Sequence, residues 1–147
     1  MKVNNAGIQL IKTFEGCLLN AYLCPAKVWT IGYGSTRYTN GTPVKQGDKI
    51  TQQEAEILLS DTLNEFSYQV SKLIKQDLTA NQFSALVSFA FNLGINALAK
   101  STLLKKVNVN PNDKSIEHEF CKWVNAGGKK LSGLVRRRNA ESKLYFS

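Results

Sequence analysis

The chain has 147 residues, 43% of them apolar, and a formal net charge of +8 at pH 7. This length suits one domain, and the ordinary apolar fraction excludes a disordered or fibrous chain. The charge favours an anionic partner such as nucleic acid, a lipid surface or bacterial cell wall. Lys and Arg are spread along the chain except at residues 136–138, so no basic tail points to nucleic acid.

Cysteine content and the apolar runs bear on compartment and cofactors. The three cysteines are an odd number without metal-ligand spacing, which predicts folding in a reducing cytoplasm without disulfides or metal. Cys17 and Cys121 are expected to be small buried residues. The N-terminal apolar run is too short for a signal peptide, and the longest one, residues 83–91, is too short to span a bilayer. We therefore expect neither a signal peptide nor a membrane anchor.

The first part of the chain predicts a short helix followed by a small sheet. Apolar residues recur every third position up to Phe14, which predicts an amphipathic helix ending near Glu15 and Gly16. From residue 21 to 50 aromatic and β-branched residues dominate, and Asn40-Gly41 is a strong turn signal. This segment predicts two or three short antiparallel strands.

Two capping boxes introduce the helical remainder. Residues 51–54 precede an apolar stripe of about six turns, which predicts a long helix. Residues 79–82 precede a segment that is apolar on nearly all sides, which predicts a buried central helix with Gly94 as its C-cap.

The rest of the chain predicts three more helices and two interruptions. The helices cover about residues 95–107, 115–124 and 132–144, with a loop at 108–114 and a glycine-rich break at 126–128. The fold class that follows is α+β, mainly helical, with one small sheet.

Three residues near the N-terminus have side chains suited to chemistry. Glu15 has an apolar neighbour and leads into a glycine- and aromatic-rich segment, and burial of this kind favours a proton-donating carboxyl group. Pro25 holds Cys24 in an extended conformation. Strand alternation puts Thr30 on one face with the small residues Gly32 and Gly34, where a ligand would have room. Spacing alone leaves a structural role open for both Cys24 and Thr30.

Motifs along the whole chain resemble the phage-type lysozymes, glycoside hydrolase family 24. Glu15, Cys24 and Thr30 stand at the offsets where these endolysins carry Glu, Asp and Thr. Phe91-Asn92-Leu93-Gly94 is similar to the family's turn beside the saccharide cleft. The C-terminal signature is similar as well, in Trp123, residues 126–128, Gly133-Leu134, residues 136–138 and Glu141.

The resemblance implies a single lysozyme-like domain over residues 1–147. A β-containing lobe would span about 15–50 and a bridging helix about 51–75. The helical lobe would span about 76–147 and include the N-terminal helix. The implied activity is hydrolysis of the β-1,4 bond between N-acetylmuramic acid and N-acetylglucosamine in peptidoglycan, without a cofactor.

Site roles follow from the same resemblance. Glu15 would be the general acid, and Thr30 would help to hold the attacking water. Substrate-binding positions would be Gly34, Phe91, Asn92, Arg136 and Arg137. The arginines at 136–138 could pair with Glu15 or meet acidic stem peptides, and at least one of them is expected to be a solvated surface residue.

Cys24 departs from the family pattern, in which this position is usually Asp. A thiol is a poor base unless it is ionised. Cys24 either acts as a stabilised thiolate in the reaction or is tolerated while Glu15 and Thr30 carry the chemistry. We favour the functional role.

The remaining expectations concern partners and competing functions. We expect a monomer that acts on peptidoglycan and not on nucleic acid, accumulates in the host cytoplasm and reaches the periplasm and wall after holin-dependent release. One alternative is a lytic transglycosylase, which leaves a 1,6-anhydro end at the same bond. Another is a catalytically degenerate basic module that binds wall or nucleic acid.

Overall fold

A computed structural model of the chain describes all residues from 1 to 147. It has seven helices and two small antiparallel sheets, which confirms the predicted α+β, mainly helical class. In chain order the elements are α1 (Asn5–Glu15), β1 (Leu18–Leu23), β2 (Trp29–Gly32), α2 (Gln52–Leu73), α3 (Ala80–Leu93), α4 (Ile95–Lys100), α5 (Thr102–Val109), α6 (Ile116–Cys121), β3 (Asn125–Ala126), β4 (Lys129–Lys130) and α7 (Ser132–Tyr145).

The chain divides into two compact units, which we describe separately. The hairpin unit is the continuous segment Lys12–Asn64, and the helical unit combines Met1–Ile11 with Glu65–Ser147. None of the helices combines the length and apolarity needed to cross a lipid bilayer.

The hairpin unit is organised by the antiparallel pair β1–β2, in which Leu18 lies opposite Gly32 and Tyr22 opposite Thr30. Behind the hairpin, a small apolar cluster forms around Ile31, Val44 and Leu58. The predicted turn at Asn40-Gly41 is present, because the Asn40 side chain accepts from the Thr42 amide and Gly41 has a φ of +86°. It closes an isolated bridge and not a third strand, since the ladder on either side does not extend.

The long helix α2 begins where the sequence predicts it. The Thr51 hydroxyl accepts from the Glu54 amide at 3.1 Å, and the Glu54 carboxylate accepts from the Thr51 amide at 3.0 Å. This reciprocal arrangement satisfies two amides that the first helical turn leaves unpaired.

The helical unit is built around α3, whose residues 82–90 are all buried, as predicted. Helix α7 packs on α3 and also on α6. Gly7 of α1 lies against Ser84 of α3, so closely that a Cβ at position 7 would come within 2.6 Å of the Ser84 Cβ. Gly94 has a φ of +98° and ends α3, which confirms the predicted C-cap.

The expected single helix over residues 95–107 is wrong. Ser101 is extended, with φ −76° and ψ 150°, and separates α4 from α5. Its hydroxyl accepts from the Leu104 amide at 3.0 Å and caps α5. Serine favours such a cap over a mid-helix position because its short side chain competes for backbone hydrogen bonds.

The glycine-rich break near residue 127 is more ordered than the sequence indicates. The strand Asn125–Ala126 pairs with Lys129–Lys130, and the two residues between them form the turn of a hairpin. Gly127 and Gly128 both have positive φ, +58° and +79°, as the tightest hairpin turns require. The segment is therefore a short hairpin, which places two exposed lysines ahead of α7.

The expectation that Cys17 and Cys121 are buried is also wrong. Both are half-buried free thiols. Each has a polar neighbour, since the Cys17 sulfur lies 3.7 Å from the Gln52 amide oxygen and the Cys121 sulfur 3.5 Å from the Asn139 amide oxygen. Partial burial raises the pKa of the Cys121 thiol.

The cap of α3 gives a stability prediction. Thr79→Ala removes the hydroxyl that accepts from the Gln82 amide and should lower the free energy of unfolding by about 1 kcal/mol. Urea denaturation measures this, with Thr102→Ala, at an exposed first-turn position of α5, as the control. Equal midpoints for the two variants would show that the cap contributes nothing.

Candidate active site

Glu15 is the last residue of α1 and is half-buried. The helix ends there because Gly16 takes a left-handed conformation with φ +68°. Gly34 lies beside the carboxylate, so that a Cβ at position 34 would be 3.5 Å from Glu15 Oε1. Gly34 has φ +89°, a conformation that favours glycine, and it keeps the space next to the carboxylate open.

A polar network fixes the segments that carry Glu15 and Gly34. Lys12, one turn before Glu15, forms an ion pair with Glu56 of α2. Gln52 donates to the hydroxyl of the buried Tyr33 at 3.0 Å and to Glu56 Oε1 at 3.0 Å. The ammonium of Lys12 lowers the pKa of Glu56, so the pair stays charged. The network therefore joins α1, the start of α2 and the residue preceding Gly34.

Cys24 and Thr30 come together at the end of the β1–β2 hairpin. Leu23 pairs with Trp29, so residues 24–28 form the connecting loop, closed by a bond from the Cys24 amide to the Val28 carbonyl at 3.0 Å. Lys27 in this loop has φ +62°, unusual for a residue with a side chain. Thr30 is 4% exposed, and its hydroxyl donates to the Val28 carbonyl at 3.0 Å.

The loop stabilises the ionised form of Cys24. The Val28 amide is the main cause that lowers the pKa of the thiol, against a smaller opposing effect of desolvation. The Thr30 hydroxyl and the Ala26 amide lower the pKa further. Because a hydroxyl carries one hydrogen, Thr30 donates either to Val28 or to the thiolate. The loop thus increases the fraction of Cys24 that is present as thiolate, the form that can accept a proton.

Tyr22 is a further candidate site residue, which the sequence pattern does not indicate. It lies opposite Thr30 in the hairpin register. Partial burial, and then the negative charges of Cys24 and Glu15, raise the pKa of its phenol. The Tyr22 hydroxyl is therefore a neutral donor close to both groups. Its place in a predicted strand, two residues before Cys24, indicates that both side chains lie on the same side of the chain. The register that pairs Tyr22 with Thr30 cannot be inferred from the sequence.

Gly32 does not share a face with Thr30 and Gly34, contrary to the expectation. A Cβ at position 32 would lie 3.4 Å from Ile50 and 3.5 Å from Ala55, on the apolar side of the unit. Strand β2 ends at this residue, where φ is +65°, so the alternation no longer applies.

Phe91 and Asn92 lie at the end of α3 in the helical unit. The Phe91 ring packs on Phe66 with centroids 5.5 Å apart. Asn92 is half-buried, and its amide oxygen accepts from Arg138 Nη2 at 2.5 Å. The family resemblance implies that both residues bind substrate. The structure shows in addition that Arg138 is a hydrogen-bond partner of Asn92.

The three consecutive arginines of α7 have different environments. Arg136 is exposed, whereas Arg137 and Arg138 are 3% and 0% exposed. Both buried arginines pair with Glu141, at 3.2 Å and 3.0 Å. Burial raises the pKa of the Glu141 carboxyl group, and the two guanidinium groups oppose this effect. Arg136 is thus the residue of the three that fits a solvated face.

Further hydrogen bonds hold this charged cluster in place. The Ser88 hydroxyl donates to Glu141 Oε2 at 2.5 Å, and Arg137 Nη2 donates to the Ser88 carbonyl at 3.2 Å. The cluster therefore fixes α7 on α3. No group of three or more His, Cys, Asp or Glu side chains is arranged to hold a metal ion.

Comparisons with known proteins agree with these features. The family model for phage lysozyme matches residues 12–141. The chain is 44% identical over 149 residues to the endolysin of Bacillus phage B103, covering all of this chain and 55% of that protein. It is 42% identical over 151 residues to the endolysin of Acyrthosiphon pisum secondary endosymbiont phage 1, covering 100% of this chain and 99% of that one. The chain therefore spans about half the length of the first relative and nearly all of the second.

A solved structure gives the same result. The endolysin from Escherichia coli O157:H7 phage FAHEc1 superposes with a TM-score of 0.91 at 39% identity, over 100% of this chain and 94% of that one. Sequence and fold agree over the full length, and the chain belongs to the phage lysozyme family.

Proposed function

We propose that the chain is a muramidase, a glycoside hydrolase that cleaves the β-1,4 bond between N-acetylmuramic acid and N-acetylglucosamine in peptidoglycan and serves as a phage endolysin. Membership of the phage lysozyme family supports the reaction class. The observation that carries the proposal to individual residues is the grouping of Glu15, Gly34, Cys24, Thr30 and Tyr22 in the hairpin unit.

Glu15 is the general acid of the proposed reaction. Its carboxyl group donates a proton to the glycosidic oxygen as the bond from that oxygen to C1 breaks, and the sugar develops oxocarbenium character. The open space at Gly34 gives a leaving oxygen access to the carboxyl group.

Cys24 and Thr30 activate the water. Because the Thr30 hydroxyl donates to the Val28 carbonyl, its oxygen accepts one hydrogen of the water. The Cys24 thiolate accepts the other as a proton while the water oxygen bonds to C1. Glu15 ends as a carboxylate and Cys24 as a thiol, and proton exchange with solvent restores both.

The helical unit supplies substrate contacts in this proposal. Phe91, Asn92 and Arg136 bind the glycan or its stem peptides, whereas the buried Arg137 holds α7 in place through Glu141 and Ser88. Within the hairpin unit, Gly34 is the proposed substrate-binding position. The hairpin unit has five Lys and Arg against five Asp and Glu, so the helical unit carries the whole net charge of +8. Attraction to the anionic wall therefore acts on the helical unit and weakens as salt increases.

Release and compartment follow the family resemblance. We propose that the chain acts as a monomer, accumulates in the host cytoplasm, and reaches the wall when a holin permeabilises the membrane. Expression in a host with and without a holin tests this, because lysis should require both proteins. Lysis by the chain alone would contradict holin dependence and leave the enzymatic activity unaffected.

Product analysis tests the activity itself. Purified peptidoglycan should lose turbidity, and mass spectrometry should find reducing N-acetylmuramic acid ends. A lytic transglycosylase would give 1,6-anhydro ends, which are lighter by one water. The water-holding pair Cys24 and Thr30 supports hydrolysis over that alternative. Binding to peptidoglycan without any soluble product would instead support a degenerate binding module.

A further inference from the structure

The Asn92 side chain is held in one of its two amide orientations. An amide has an acceptor end and a donor end, whereas a guanidinium group can only donate. Arg138 Nη2 lies 2.5 Å from the Asn92 oxygen atom, so this contact requires Oδ1 to face Arg138. Nδ2 then lies on the other side of the amide as a donor, and the bond that Oδ1 accepts is the only one that the Asn92 side chain makes.

Arg138 is itself fixed on two further sides. Its Nε lies 3.0 Å from Glu141 Oε1, and its guanidinium carbon lies 5.2 Å from the centre of the Phe89 ring. The side chain is fully buried. Burial, the ion pair and the ring contact together restrict the orientation of the guanidinium group, and its contact with Asn92 is therefore preorganised.

The Glu141 carboxylate does not need Arg138 as its charge partner. Arg137 already lies 3.2 Å from Glu141, and Ser88 donates to the same carboxylate. Arg138 Nη1 is buried without a hydrogen-bond acceptor. A buried cation with incomplete bonding contributes little to stability, and an apolar side chain of similar size often serves as well. The contact with Asn92 is the feature that an apolar replacement could not supply.

We propose that Arg138 is a positioning residue for saccharide binding, acting through Asn92. By holding Oδ1, it directs the Nδ2 donor of Asn92 to an acceptor oxygen of the bound glycan, either an acetamido carbonyl or a hydroxyl oxygen. This inference rests on the proposed function, because it takes the muramidase substrate as the ligand that Asn92 meets.

A double-mutant cycle tests the coupling between the two residues. The kcat and KM of the native chain, Asn92→Ala, Arg138→Met and the double variant are measured on solubilised peptidoglycan glycan strands. Each single variant should lose about 10-fold in kcat/KM, the effect of one hydrogen bond. The double variant should have about the same kcat/KM as the less active of the two single variants. Losses that multiply would overturn the proposal, because Arg138 would then act independently of Asn92.

Two further variants separate positioning from stability and charge. Asn92→Asp keeps an acceptor for Arg138 but removes the donor, so it should lose the same 10-fold without a lower melting temperature. Lys143→Met removes an exposed positive charge from the same helix and measures the effect of charge alone, so it should lose much less kcat/KM than Arg138→Met. Native activity in Asn92→Asp would overturn the proposal even if Arg138→Met failed to fold.

A binding measurement tests the role of Arg138 without relying on hydrolysis. In a Glu15→Gln background the glycan stays intact, and the side-chain amide signal of Asn92 should shift in a ¹⁵N-resolved spectrum when glycan strands are added. Adding Arg138→Met should remove most of that shift. An unchanged shift would refute the role of Arg138, whereas a native chain without hydrolysis would refute the proposed function.

Discussion

Replacing Glu15 by glutamine should lower the rate of peptidoglycan hydrolysis by about 10²–10⁴-fold, the usual contribution of a positioned general acid. The amide has nearly the same shape as the carboxyl group but cannot donate its proton as an acid. The position beside Gly34 leaves room for the leaving oxygen, so the substitution should still admit substrate. Turbidity loss and released reducing ends measure the effect.

The control for Glu15→Gln is Glu65→Gln, which removes an exposed carboxylate from α2. It makes the same change in net charge, and hence in attraction to the wall, without touching the proposed acid. Circular dichroism should show the native helix content in both variants. If Glu15→Gln kept a tenth or more of native activity, Glu15 would not be the general acid.

Replacing Cys24 by serine should lower kcat/KM by about 10²-fold, because a serine hydroxyl is not ionised at neutral pH and cannot replace the thiolate as base. Cys24→Asp should recover much of that loss, since a carboxylate can accept the same proton. The comparison distinguishes a catalytic thiolate from a tolerated replacement. Native lysis by Cys24→Ser would exclude the catalytic role.

Alkylation gives independent information about Cys24. In a chain carrying Cys17→Ser and Cys121→Ser, Cys24 is the single remaining thiol. Iodoacetamide should inactivate this variant at a rate that rises with pH, because the thiolate is the species that reacts. The same chain with Cys24→Asp should be insensitive to the reagent. Full alkylation without loss of activity would rule out a catalytic thiolate.

The pH profile follows from the direction of the Cys24 shift. The base is active as a thiolate, so kcat/KM should rise as pH increases through the pKa of Cys24. The amide groups of the loop lower that pKa from the ordinary thiol value. In Cys24→Asp the rise should occur several pH units lower, since an aspartate carboxyl ordinarily ionises near pH 4. Identical acid limbs in the two proteins would show that another group controls the rise.

Local signals in the sequence were sufficient for much of the fold. The Thr51 and Thr79 capping boxes are both formed, and the all-apolar segment after residue 82 is the buried helix α3. These features depend on residues three or four positions apart. Ser101 was missed because apolar spacing continues through it, and its hydroxyl decides locally between a helix interior and a cap.

The site was harder to predict from the sequence, because the environment of its residues depends on partners that are distant in the chain. Glu15, Cys24 and Thr30 were singled out from their local sequence, and the family resemblance gave them roles that stay predictions. Tyr22 required the hairpin register. The burial of Arg137 and Arg138 could not be inferred from α7 alone. Their spacing from Glu141 indicates ion pairs on a helix, but burial comes from α3, about fifty positions earlier.

The discontinuous helical unit has a consequence for synthesis on the ribosome. The hairpin unit is one uninterrupted segment and is complete once residue 64 has been made. Residues 1–11 precede the hairpin unit in the chain, yet Gly7 packs on Ser84, and α3 in turn holds buried charges of α7. Because α1 packs on α3, and α3 in turn packs on α7 through Glu141, this unit cannot complete its packing until α7 has been synthesised. Truncated nascent chains should expose the apolar surface of α3, which makes them the species most dependent on chaperones.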